Sequence, residues 1–190
     1  KNGTDYAQEL IQTRCTKGAD VARELLFSEN VAQGIKHLDE HWDGSGRPDG
    51  LKNDQIPLFS RIALLAQVMD VFQREHDLNS AFAELESRSG NWLDPNLVAI
   101  SKQLKGSPDF IKALNASSIV PFVLAMSPAQ AMIPLDDNYF DRIVTAFGKI
   151  IDAKSPFTSG HSSRVAVFST LIAEELNLDQ EDRRWLKRAA

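Results

Sequence analysis

The residues best suited to chemistry lie together in His37-Leu38-Asp39-Glu40-His41-Trp42-Asp43-Gly44-Ser45-Gly46-Arg47-Pro48-Asp49-Gly50-Leu51. His37 and His41 are four apart, so on a helix both imidazoles would share a face and could grip one divalent metal. With Glu40 between them the string spells His-x-x-Glu-His, the inverted zinc-protease pattern, in which Glu40 would activate a metal-bound water. That peptidase reading stands beside a plainer one, in which the imidazoles bond nearby acids or carbonyls at a helix end. Asp43-Gly44-Ser45-Gly46-Arg47-Pro48 cannot be a calcium loop, since Arg47 puts a cation at the fifth position and Pro48 replaces the sixth-position glycine. The amides at Gly44 and Gly46 could cradle a phosphate. Alternatively the segment is a tight turn in which Asp43 bonds its own backbone. His76-Asp77 reads as a solvated helix end, His161 as a cap, core or ligand histidine near a helix start, and Cys15 as a small buried residue.

Helical periodicity must position these groups, and strand-like alternation is nearly absent, so the expected class is all-α. Asp5 to Leu26 is helical with a break near Lys17-Gly18. Ser28 caps a helix to about Leu38 with Val31, Ile35 and Leu38 on one face. Pro57 opens a helix whose stripe is Ile62, Leu65, Met69 and Phe72, widened by Leu64 and Val68. Asn79 to Ser87 turns Phe82 and Leu85 inward, and Asp94-Pro95 caps a helix through Leu104. Residues 117–136, with Pro121, Pro128 and Pro134, read as a linker between a first domain (1–116) and a second segment (137–190). In that segment Phe140, Ile143, Val144, Phe147, Ile150 and Ile151 form one stripe. After a break at Lys154-Ser155-Pro156, another helix turns Val165, Phe168, Ile172 and Leu176 inward, and Asp179 caps the last helix.

The 190 residues carry a net charge of −5 and a 43% hydrophobic fraction. That excludes a strongly basic nucleic-acid binder and allows a real core. The one cysteine cannot form an internal disulfide and fits a cytoplasmic setting. The longest apolar run, Ile119 to Met126, is far short of the ~20 residues of a membrane span. Both ends read as cut from a longer protein.

Two segments resemble the HD-GYP branch of the HD-domain phosphohydrolases. Asp39 to Gln67, with Asp43-Gly44-Ser45-Gly46-Arg47-Pro48, Ile56-Pro57 and Arg61-Ile62, is similar to the later half of such a domain, and Asn91 to Pro95 to its closing helix region. Lys154 to Val165 is similar to the opening of a second one. The resemblance implies an HD-like helical bundle followed by the first helices of another, from a tandem signalling protein. It also implies hydrolysis of a cyclic dinucleotide, typically cyclic-di-GMP, with two or three metal ions, often iron or manganese, that activate a water.

This sequence departs from the family where ligands are needed. Leu38 and Asp39 stand where the family has two histidines before the glutamate matched by Glu40. Of these, only Asp39 could bind a metal. Gln67 stands where the family has a metal aspartate, six residues after the arginine matched by Arg61, and a neutral amide is a poor ligand for a hard cation. Arg47 replaces the tyrosine of the motif. The first domain is therefore expected to be a degenerate, regulatory or dimerising module without metal. His161 matches a ligand of the second domain, whose partners would lie beyond Ala190. Rival expectations are residual phosphohydrolase activity using His37, Asp39 and His41, or nucleotide binding without cleavage. A homo-oligomer or packing between the half-domains is also expected, since each half alone exposes an apolar face.

Overall fold

The computed structural model describes the backbone of residues 3–114, 116–126, 134–152 and 160–190, with side chains from residue 11 onward except at 116–118. Among these the regular structure is helical: α1 (Gly3–Glu24), α2 (Glu29–Lys36), α3 (Leu58–Glu75), α4 (Leu78–Ser87), α5 (Pro95–Ser101), α6 (Pro108–Ala113), α7 (Ala116–Ala125), α8 (Asp137–Asp152), α9 (His161–Glu175) and α10 (Gln180–Ala189). The chain is all-α, as its periodicity requires. No described helix is long and apolar enough to cross a membrane.

The helices form two compact units, one of residues 37–134 and one that joins 1–36 to 135–190. This division differs from the one read along the sequence at 117–136, because α1 packs against both α2 and α8 and so joins the two ends of the chain. The expected break at Lys154-Ser155-Pro156 lies outside the described residues.

In the 37–134 unit, Leu64, Leu65, Val68 and Met69 of α3 pack with Ala81, Phe82 and Leu85 of α4, and with Leu93 and Val98. Phe72 joins from the edge. Ile62, expected in this stripe, is 47% exposed. Periodicity marks an apolar face wider than the one the neighbouring helices cover. The ends of these helices follow their caps. The Asp77 carboxylate accepts from Ser80 N–H at 2.7 Å, which explains the His76-Asp77 pair as a junction between α3 and α4. Asp94 accepts from Asn96 N–H at 2.9 Å, with Pro95 at the first helical position of α5. The helix that Asp94 starts becomes a 3-10 turn over Lys102–Gly106.

In the other unit, α1 runs without the break expected at Gly18. A side chain there would press on Ile35 of α2, its Cβ 2.9 Å from Ile35 Cγ2. The glycine marks close helix packing rather than a helix end. Cys15, Ala19, Ala22 and Ala32 are buried. Asp179 caps α10 as expected, accepting from Asp182 N–H at 2.8 Å. The α9 stripe does not face inward: Phe168 and Ile172 are each 60% exposed, and Leu176 is exposed too.

Candidate functional site

The helix that was to carry His37 and His41 stops at Lys36. His37, Leu38 and Asp39 form a turn closed by the Glu40 N–H donating to the His37 carbonyl at 3.1 Å. The two imidazoles therefore do not share a helical face, and each bonds within its own loop. Nε2 of the buried His37 lies 3.0 Å from Asp49 Oδ2. His41 Nδ1 lies 2.9 Å from Ser45 Oγ. The inverted zinc-protease reading fails on this geometry.

Glu40 shows why the glycine-rich loop exists. It is 1% exposed. Its Oε1 accepts the N–H groups of Asp49 (2.6 Å) and Gly50 (3.0 Å), and its Oε2 accepts that of Leu51 (2.9 Å). A buried carboxylate must have such partners, and a loop backbone must place its own donors. Glu40 satisfies both by folding the 48–51 segment back on itself, so both of its oxygens accept from backbone N–H groups. Gly46 permits the fold, because a Cβ there would collide with the backbone of Glu40 and His41. Gly44 adopts φ +83°, which glycine tolerates. Asp43 Oδ1 accepts from Ser45 N–H at 2.8 Å, the self-bonded turn that the sequence allowed. The Ser45 bonds hold the Asp43 carboxyl below the ordinary carboxylate range. The exposed Arg47 donates to the Gly46 carbonyl at 2.9 Å, and Pro48 is half-buried.

The loop is fastened to the segment before α5. Trp42 N–H donates to the Trp92 carbonyl and Asp43 N–H to the Asn91 carbonyl, at 3.0 and 2.8 Å. The His41 ring stacks on Trp92 at 4.3 Å, and the Arg88 guanidinium lies 4.2 Å from the Trp92 ring centre. Burial pushes the His41 imidazole below its ordinary value, against the raising effect of Asp43, Asp39 and Glu40. Arg61 Nη1 bridges Asp54 and the buried Asp94, both at 2.9 Å, with its guanidinium 5.6 Å from the Trp42 ring centre. Sequence reading identified Arg61 and Asp94 separately. It missed that they pair and missed the His41–Trp92–Arg88 stack, since neither has a local spacing signature.

At the positions where the family resemblance expects ligands, the side chains are of mixed chemistry. Leu38 is half-buried and aliphatic, Gln67 is exposed on α3, and Asp39 is half-buried in the turn. Among the described residues no three His, Cys, Asp or Glu side chains converge into a set that could hold a cation. His161 is the exposed first residue of α9, after Gly160 at φ +68°.

Comparison with known proteins places this geometry. The family model for the HD domain matches residues 1–97, about half of the chain. Over all 190 residues the chain is 63% identical to the 3'3'-cGAMP-specific phosphodiesterase 3 of Vibrio cholerae, spanning 41% of that protein. It is 32% identical over 96 residues to a probable cyclic di-GMP phosphodiesterase of the same organism, which is 47% of this chain and 20% of that one. The crystal structure of a cyclic GMP-AMP-specific phosphodiesterase of V. cholerae superposes with a TM-score of 0.79 at 62% identity, covering 99% of this chain and 45% of that one. The chain thus spans less than half the length of these relatives. It belongs to the HD-domain family, on its HD-GYP branch.

Proposed function

We propose that this chain is the non-catalytic, regulatory or dimerising part of a cyclic-dinucleotide phosphodiesterase, together with the first helices of the domain that does the chemistry. Its substrate class is a 3',3'-linked cyclic dinucleotide, cyclic GMP-AMP or cyclic-di-GMP, and its setting is the cytoplasm. The observation that carries the reading is the pairing of loss with retention. Leu38 and Gln67 stand where the family pattern has ligands, while Glu40, Gly44, Gly46 and Arg61 build and fasten the loop beside them. A framework kept without its ligands serves shape rather than hydrolysis. In the family a divalent metal, often iron or manganese, activates the attacking water, and His161 is the residue here assigned to such a site. No step of hydrolysis is assigned to residues 1–116.

Turnover by the full-length protein tests this. The reading expects His161→Ala to lower kcat on a cyclic dinucleotide by roughly 100-fold or more, the scale of losing a residue that acts only in the transition state. Gln67→Ala is expected to leave kcat within about twofold, as for an exposed side chain distant from the chemistry. Activity that survives His161→Ala and is lost in Gln67→Ala overturns it.

A further inference from the structure

The seam between α1 and α8 joins the stretch matched by the HD family model to a helix beyond it. On α8, Tyr139, Arg142, Ala146 and Lys149 recur at helical spacing, on one face. Ala146 is 1% exposed, which lets the two helix backbones approach. Glu24, at the end of α1, receives Lys149 Nζ at 2.7 Å and lies 3.6 Å from Arg142 Nη1. The Tyr139 hydroxyl donates to the Leu25 carbonyl at 3.4 Å. One carboxylate thus takes two cations set seven residues apart on a single helix.

The other faces of α8 are engaged in turn. Asp137 and Asp141 pair with Arg184 and Arg188 of α10, the shortest bond being Arg188 Nε to Asp141 Oδ1 at 2.7 Å. The aromatic rings of Phe140 and Trp185 meet edge to face alongside. At its last residue, Asp152 Oδ1 accepts from the Ser162 hydroxyl at 2.9 Å, and Ser162 follows His161. A continuous set of contacts therefore runs from Glu24 along α8 to the residue beside His161.

We propose that α8 is a strut that docks the His161-bearing helix on α1, with Glu24 as a positioning residue for the site to which His161 belongs. The inference rests on the reading of His161 as part of the hydrolytic site. Removing the Glu24 charge frees two cations on α8 and loosens the start of α9, while altering the chemistry of no group proposed to hold metal or touch substrate. The expected signature is a change in kcat with little change in KM.

Steady-state turnover of cyclic-di-GMP and cyclic GMP-AMP by the full-length protein tests it. Glu24→Gln is expected to lower kcat roughly three- to tenfold, the scale of mutations that act through a packed network, with KM within about twofold. The charge-swapped pair Glu24→Lys with Lys149→Glu is expected to recover at least half of the loss, a rescue that a merely destabilised fold does not give. If Glu24→Gln folds poorly, Arg142→Gln with Lys149→Gln breaks the same seam from its exposed side and is expected to show the same kcat loss. Wild-type kcat in the variant of either side, or no recovery in the swap, overturns the inference while His161→Ala still abolishes turnover. Turnover intact in His161→Ala overturns the functional reading and this inference together.

Discussion

Glu40 and His161 are both singled out by the resemblance to the HD-GYP pattern, yet their surroundings are opposite. Glu40 is 1% exposed and takes three backbone N–H groups of its own loop. His161 opens α9 at the surface, and its ring makes no hydrogen bond to the described residues. A side chain whose two oxygens both accept from backbone N–H groups holds a loop in shape. A side chain left open at a helix start remains available to groups outside it. The comparison separates a residue that holds architecture from the one proposed for chemistry, and it does so by partners and burial rather than by residue type.

The largest stability effect expected from this contrast is at Glu40. Glu40→Gln sets an amide NH₂ against backbone donors in a dry site and is expected to cost about 3 kcal/mol. His161→Ala, at the surface, is expected to change stability by less than about 0.5 kcal/mol. Urea denaturation midpoints of the two variants measure both, and comparable losses would erase the distinction. Gly46→Ala drives a methyl group into the Glu40–His41 backbone and is expected to cost about 2 kcal/mol, read in the same way. Asp94→Ala removes the α5 cap and one partner of the largely buried Arg61, for an expected loss of about 1.5 kcal/mol. A neutral result there would mean that the loop does not depend on its attachment to α5.

The smallest effect concerns pH. Burial lowers the His41 pKa below 6.5, so the folded protein disfavours the imidazolium. As pH falls through about 6.5 the unfolded chain takes the proton first, and stability declines until the folded imidazole also titrates. A His41→Phe variant keeps an aromatic ring against Trp92 without the titration. Wild-type protein is expected to lose more stability than this variant between about pH 7.5 and 5.5. A wild type that gains stability over that range contradicts the assignment.

How much of this was legible in the chain depends on how local each signal is. Asp94-Pro95, Asp179, Phe82 and Leu85 act within one helical turn or on one face, and the structure follows them. Gly18 was misread because a glycine in a helix looks the same whether it ends the helix or lets Ile35 approach it. The α9 stripe was misread because periodicity says which face is apolar and not what covers it. The role of Glu40 was hidden because its donors come nine to eleven residues later, brought back by a loop that only Gly46 permits. Leu38 and Gln67 were readable only against a pattern, since neither is unusual in its own setting.

The most direct test of the central claim is an anomalous-scattering map of crystals grown with iron and manganese. The account predicts no peak within about 2.5 Å of the His37, Asp39 or His41 side chains, or of the Gln67 amide, the reach of a ligand to a divalent cation. A stoichiometric peak bonded to any of them contradicts it.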